Sequence, residues 1–337
     1  MPLIIETENL SRVFKSYKKP KGLLNSLKGF FSRQYESKIA LAPTTLNIEG
    51  GQVIGLVGAN GAGKTTLIKL LSGLISPSTG TSKVLGFNPN DRKNEYLKKI
   101  SVLLGQKNQL WWDIAPVDSY DLLGKIYDIE AKEVDRRVEE LAEIFSCTDQ
   151  LQTQLRRLSL GERMKMEIIG ALLHRPEVLF LDEPTIGLDI VAQNVIRNFI
   201  EQYMARYKPT IILTSHYMDD ISRLSDRLLL ISEGKIVYDG NVDEFTLRAE
   251  TKQKLMIVLG SPTQEAMEFS GIGAISVGQK LIDLSVPAKG SGEVISRIAK
   301  FNVIQEIRIE ESGFEEVIHE FLAKNVRHGK VGRGLTV

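Results

Sequence analysis

The stretch Val53-Ile-Gly-Leu-Val-Gly58-Ala-Asn-Gly-Ala-Gly-Lys64-Thr-Thr-Leu-Ile-Lys-Leu-Leu71 decides the architecture. Its first five residues are apolar or glycine, the pattern of a short strand buried on both faces. Gly58, Gly61 and Gly63 then give a backbone free to curl. From Thr65 onward leucines recur at helical spacing, so Leu67, Leu70, Leu71 and Leu74 predict one apolar stripe facing a sheet. A strand, a loop of the form G-x-x-x-x-G-K-[ST] and a helix, in that order, converge backbone N–H groups on phosphate at a helix N-terminus. The candidate nucleotide-binding residues are therefore Gly58, Ala59, Asn60, Gly61, Ala62, Gly63, Lys64, Thr65 and Thr66. Lys64 would reach the β and γ phosphates, and the Thr65 hydroxyl would lie on Mg2+. A dinucleotide fingerprint fits worse, because the spacing here is G-x-x-G-x-G with Lys64 immediately after.

A phosphate loop is common to kinases, GTPases, helicases and transport ATPases, so the rest of the site has to separate them. The apolar run Val178-Leu-Phe-Leu181 reads as a buried strand and ends in Asp182-Glu183. Two adjacent carboxylates at a strand tip suggest two roles: Asp182 for Mg2+, and Glu183 to polarise the water that attacks the γ phosphate. A capped strand end is the structural alternative. Against it stand Pro184-Thr-Ile-Gly187-Leu188-Asp189 and, after another apolar run at Ile211 to Leu213, Thr214-Ser215-His216. A histidine at a strand tip is free to reach phosphate.

On these motifs the chain resembles the ATP-binding subunit of an ABC transporter over roughly residues 3 to 240, with the family's motifs in the family's order. Leu158-Ser159-Leu160-Gly161-Glu162 looks like its LSGGQ signature, with Leu160 for the first Gly and Glu162 for Gln. Ser159 and Glu162 also form an S-x-x-E capping box, and both readings hold together. The resemblance implies that this helix start faces the γ phosphate held by a second subunit, and that Gly187, Leu188 and Asp189 form the dimer loop. Gln106 looks like the Q-loop glutamine, touching Mg2+ or water. The neighbouring Trp111-Trp112 pair either packs on a helical subdomain or receives the permease. The position matching the family's adenine-stacking aromatic is Phe14, with Tyr17 as second choice.

The implied fold is α/β: a P-loop NTPase core of the ABC ATPase type, a mixed sheet plus a helical subdomain at about 107–175, followed by a small α+β domain. Val134, Val138, Leu141 and Phe145 predict one helical stripe in that subdomain. The core is expected over 1–240, the accessory domain over 241–325, and a mobile tail over 326–337. The accessory domain resembles the appendage of type-2 exporter ATPases, and regulation or dimer bracing suits it better than catalysis. Between Arg12 and Lys38 lie eight Lys or Arg and one acid, with Leu23, Leu24, Leu27, Phe30 and Phe31 at helical spacing. This basic insertion is read either as an amphipathic helix on an anionic membrane or the permease, or as a solvated loop.

Composition sets the remaining bounds. The 337 residues exceed one hydrophobic core, and 43 Lys plus Arg against 42 Asp plus Glu argue against a nucleic-acid partner held by bulk charge. One cysteine, Cys147, forms no internal disulfide, and no stretch reaches the roughly 18 to 20 apolar residues of a membrane span. The expected protein is an ATPase using ATP and Mg2+, peripheral on the cytoplasmic face of the membrane. Its expected partners are integral-membrane permease subunits of the type-2 class and a second ATPase subunit, identical or a close paralogue. Export is inferred from the resemblance in GQKNQLWWD and DEPTIGLD. Soluble ABC-type machines of translation or DNA repair are the alternative; they carry two cassettes or long coiled coils, whereas this chain has one phosphate loop and no sustained heptads.

Overall fold

The computed structural model describes residues 2–17, 35–105, 107–248, 252–263, 267–269, 273–275, 278–287 and 290–311, together with 318 and 321. The chain divides into two compact units, with the boundary between Gly240 and Asn241.

The first unit contains two sheets. Strands β1 (Leu3–Tyr17), β2 (Tyr35–Glu49) and β4 (Thr79–Val84) form an antiparallel sheet of order β2-β1-β4. The second sheet has six strands, in the order β5-β6-β7-β3-β8-β9. These are β3 (Val53–Val57), β5 (Ile100–Leu104), β6 (Val178–Asp182), β7 (Thr210–Thr214), β8 (Arg227–Ser232) and β9 (Lys235–Asn241). From β5 to β8 the pairings are parallel. Every residue of β3, β6 and β7 is buried, as their unbroken apolar runs require of strands covered on both faces.

Helix α1 (Lys64–Leu71) follows the glycine loop. Its Leu67, Ile68, Leu70 and Leu71 join one core with Ile54, Leu56, Phe180 and Ile212 of the parallel sheet and Ile5, Leu10 and Ile48 of the antiparallel one. The expected fourth member of the stripe, Leu74, is exposed. The helix has already stopped: Ser72 caps it and Gly73, at φ +73°, turns the chain away.

After a short helix α2 (Asn94–Leu97) come α3 (Pro116–Ile126), α4 (Ala131–Ile144) and α5 (Leu160–Leu172), which pack on one another. Val134, Val138, Leu141 and Phe145 are buried, and the Phe145 ring stacks on Phe199 at 3.8 Å. Helices α6 (Ile190–Tyr207) and α7 (Met218–Leu224) flank β7 in sequence.

The basic segment is divided differently from its composition. Arg12–Tyr17 and Tyr35–Lys38 are arms of the β1–β2 ladder, paired from Arg12↔Leu41 to Tyr17↔Tyr35. Residues 18–34, which carry the helical spacing of the leucines and phenylalanines, lie outside the described residues.

The second unit opens with α8 (Val242–Arg248). Its antiparallel sheet has the order β13-β10-β14, built from β10 (Lys252–Leu259), β13 (Leu281–Pro287) and β14 (Ile304–Glu311), with a separate pair β11 (Met267–Phe269) and β12 (Gly273–Ile275). Helix α9 (Ser291–Ala299) places Val294 and Ile298 on Leu255, Ile257, Ile282, Leu284 and Val286, a small core of its own. The stretch read as a mobile tail, 326–337, lies outside the described residues.

Candidate active site

The C-terminal ends of β3, β6 and β7 lie side by side because these strands are parallel neighbours, with Asp182 opposite Thr214 in register. The loop after β3 is shaped by two glycines. A Cβ on Gly58 would stand 2.1 Å from the Ile231 carbonyl oxygen, and Gly63 has φ +119°, a conformation that side chains rarely tolerate. The loop thus closes tightly on β8 and delivers Lys64 as the first residue of α1.

Lys64 is buried and turns back on its own loop, where Nζ donates to the carbonyls of Gly58 (2.6 Å) and Ala59 (3.3 Å). Burial pulls its pKa below the ordinary lysine value, while the carboxylates of Glu183 and Asp182 oppose that shift. One residue on, Thr65 Oγ1 donates to Asp182 Oδ2 at 2.9 Å. The other oxygen, Oδ1, accepts from Thr214 Oγ1 at 2.6 Å. A hydroxyl and a carboxylate converging at the mouth of a phosphate loop are oxygen donors of the kind Mg2+ prefers. Among the described residues no group of three or more His, Cys, Asp or Glu could hold a metal. The Thr65 hydroxyl and the Asp182 carboxylate, 2.9 Å apart, are the pair whose chemistry fits such a cation.

Glu183 leaves β6 with a left-handed backbone, φ +59°. Such a conformation costs about 1–3 kcal/mol in a residue with a side chain. Its N–H is held by the Thr214 carbonyl and the Thr214 hydroxyl, both at 3.0 Å. The carboxylate then lies 2.8 Å from His216 Nε2 through Oε1, and both side chains are partly open to solvent. Lys64, Thr65, Asp182, Thr214, Glu183 and His216 thus stand within one cluster of charges and hydrogen bonds.

The signature-like segment belongs to a second group. Ser159 caps α5: its Oγ accepts the Glu162 N–H (3.3 Å), while Glu162 Oε2 accepts the Ser159 N–H (2.9 Å) and hydroxyl (2.7 Å). These bonds hold the Glu162 carboxyl below the usual range. Asp189 caps α6 in the same manner, accepting the Ala192 N–H at 2.8 Å. Ser159, Leu160, Gly161 and Glu162 share with Gly187, Leu188 and Asp189 the lining of an open recess of about 320 Å3. Leu160, standing where the family motif has glycine, is exposed at its edge.

Gln106 lies outside the described residues. The segment beyond it is tied to α5 by the buried Glu167, whose Oε2 accepts the N–H groups of Gln109 (2.9 Å) and Leu110 (3.3 Å). Trp111 and Trp112 are 43% and 42% exposed, and Arg163 lies 5.0 Å over the Trp112 ring. Phe14 on β1 is 40% exposed, with the Arg12 guanidinium 4.7 Å from its ring centre. The Tyr17 side chain is outside the described residues.

Sequence reading gave no role to three residues that make hydrogen bonds in this region: Thr214 to Asp182, Glu167 to Gln109 and Asp220 to Thr185. For Asp220 a signal existed, since it stands beside Asp219 and directly before Ile221 on a short helix that buries Ile221 and Leu224. An acid on a buried face implies partners.

The sequence model of the ABC transporter family matches residues 41–186. The ABC transporter ATP-binding protein NatA of Bacillus subtilis is 34% identical over 63% of this chain and 87% of that protein. The chain belongs to the ABC transporter ATP-binding family. The daunorubicin resistance ATP-binding protein DrrA3 of Streptomyces coeruleorubidus is 30% identical over 82% of this chain and 87% of its own length. Because 282 residues align, that similarity runs past Gly240 into the second unit. Among solved structures, a dimeric ATP-binding cassette in a post-hydrolysis state with ADP and Pi is 20% identical. It superposes with a TM-score of 0.59 over 70% of this chain and 98% of that one, a likeness of fold. As an ABC ATPase subunit the chain binds and hydrolyses ATP, and ATPases of this family dimerise and act with membrane permeases. None of its described helices is long and apolar enough to cross a membrane.

Proposed function

We propose that two copies of this chain, or one copy and a close paralogue, close around two ATP molecules and drive a type-2 permease, in the direction of export. The observation that carries the chemical part is the Glu183–His216 pair at 2.8 Å, beside the Thr65–Asp182 pair at 2.9 Å. In this reading the N–H groups of Gly58 to Thr66 cradle the phosphates, and Lys64 exchanges its loop carbonyls for phosphate oxygens. Thr65, Asp182 and Gln106 hold Mg2+, which when bound neutralises developing charge on the phosphates. Glu183 orients and polarises the attacking water, and His216 contacts the γ phosphate while fixing the Glu183 carboxylate. Phe14, partly exposed with the Arg12 guanidinium over its ring, is assigned to adenine stacking.

The recess shared by Ser159, Gly161 and Asp189 supports a role across the dimer, because capped helix starts present N–H groups to an anion. Trp111 and Trp112, exposed and joined to α5 through Arg163 and Glu167, suit a permease-docking role. The unit after Gly240 is assigned an accessory role, and the whole is placed at the cytoplasmic face of the membrane. Export rests on the resemblance to type-2 exporter ATPases.

The test is to pull down tagged Glu183→Gln from detergent-solubilised membranes in the presence of MgATP and to identify what co-purifies. Polytopic membrane subunits are the expected result. Ribosomes or DNA-repair factors in their place would overturn the permease assignment.

A further inference from the structure

Neither residue of the Glu183–His216 pair sits within a strand or helix. Glu183 leaves β6 in a left-handed conformation, and His216 occupies the turn between β7 and α7. The same region contains a carboxylate that the chemistry above does not use. Asp220, in the first turn of α7, is fully buried. Its Oδ2 accepts the hydroxyls of Thr185 and Ser215, each at 2.5 Å, and its Oδ1 accepts Arg197 Nε at 2.5 Å.

The three donors come from three segments that each end at a functional residue. Thr185 is two residues past Glu183. Ser215 precedes His216, and its Oγ also accepts the Tyr217 N–H at 3.0 Å, so it bonds across the histidine's own turn. Arg197, on α6, is itself buried and donates through its remaining nitrogens to Gln193 Oε1 (3.2 Å) and Asn194 Oδ1 (3.0 Å). Gln193 Nε2 donates in turn to the Leu188 carbonyl at 2.9 Å, inside the dimer loop. A buried ion pair contributes little to stability compared with apolar packing, because both charges lose their water. What this one does is fix geometry, and catalytic geometry is sensitive: a misplacement of about 1 Å costs on the order of a hundredfold in rate.

We propose that Asp220 is a positioning residue for ATP hydrolysis, holding through Ser215 the turn that presents His216 and through Thr185 and Arg197 the segment from Glu183 to Asp189. The proposal rests on the assignment of Glu183 and His216 given above.

The test compares Ser215→Ala, Thr185→Val, Asp220→Asn, His216→Ala and the double variant Ser215→Ala/His216→Ala in the full chain. The readouts are kcat and KM for MgATP, the Kd of a fluorescent ATP analogue, and the unfolding temperature. Ser215→Ala and Thr185→Val are expected to lower kcat by about tenfold, the equivalent of one charged hydrogen bond. KM and analogue Kd are expected to stay within about twofold, since the phosphate loop is untouched. In the His216→Ala background, Ser215→Ala is expected to cost nothing further, because a group that acts only through another has no separate effect. Asp220→Asn is expected to be at least as slow as either single variant; if it does not fold, the two hydroxyl variants decide the matter. Wild-type kcat in folded Ser215→Ala and Thr185→Val, or losses that add in the double variant, would overturn the proposal while leaving a slow His216→Ala intact. Wild-type kcat in His216→Ala would remove the underlying assignment, and the proposal with it.

Discussion

Lys64 spends its ammonium on two carbonyls of its own loop, and burial lowers its pKa against the pull of Glu183 and Asp182. The loop carbonyls of Gly58 and Ala59 are thus held by the same ammonium that is assigned to phosphate. Lys64→Ala is expected to weaken ATP binding by at least about tenfold, the loss of one charge-assisted hydrogen bond of ~1.5 kcal/mol. Titration of a fluorescent ATP analogue measures this, and an unchanged Kd would remove Lys64 from the phosphate site. The loop that delivers Lys64 to the start of α1 was legible because its pattern is written within eight consecutive residues, Gly58 to Thr65. The role of Asp220 was not, because its partners stand 35, 23 and 5 residues away and only folding brings Thr185, Arg197 and Ser215 onto one carboxylate.

At the scale of elements, α5 links two regions with different assigned tasks. Its start carries the Ser159 cap, and two turns later Glu167 holds the segment that leads to Trp111 and Trp112. Burial pushes the Glu167 pKa up to about 7, although the Gln109 and Leu110 N–H groups pull the other way. In the folded chain this carboxyl thus keeps a proton between about pH 4.5 and 7, where the unfolded chain has lost it. A raised acid favours the folded state at low pH, and that advantage disappears as pH rises through the folded value. The unfolding temperature of the wild type, relative to Glu167→Gln, is therefore expected to fall between about pH 5 and pH 8. A difference independent of pH would show that Glu167 is ionised throughout. The strands and helices around this element followed from apolar periodicity, and the two exceptions have different causes, one local and one long-range. Leu74 fell outside α1 because Gly73 ends the helix, and the β1–β2 arms at Arg12–Tyr17 and Tyr35–Lys38 escaped notice because long-range pairing has no local signature.

At the scale of the molecule, the proposed function has the first unit supply one half of each catalytic assembly. Lys64, Thr65, Asp182, Glu183 and His216 form one cluster, while Ser159, Gly161 and Asp189 line a separate recess. Those two groups become one site only if a second subunit brings its recess to the first subunit's phosphates. That arrangement accounts for a signature helix whose cap bonds to itself and its neighbours while Glu183 and His216 pair beside the phosphate loop. The second unit, with its own core of Leu255, Ile257 and Val294, has no assigned part in the reaction.

The most direct measurement is light scattering of Glu183→Gln with and without MgATP, alongside its rate of phosphate release. We expect mass to double on adding MgATP, with phosphate release lost, because the closed pair forms and the water is no longer activated. A protein that keeps its single-chain mass at saturating MgATP, or that releases phosphate at the wild-type rate, would contradict the account.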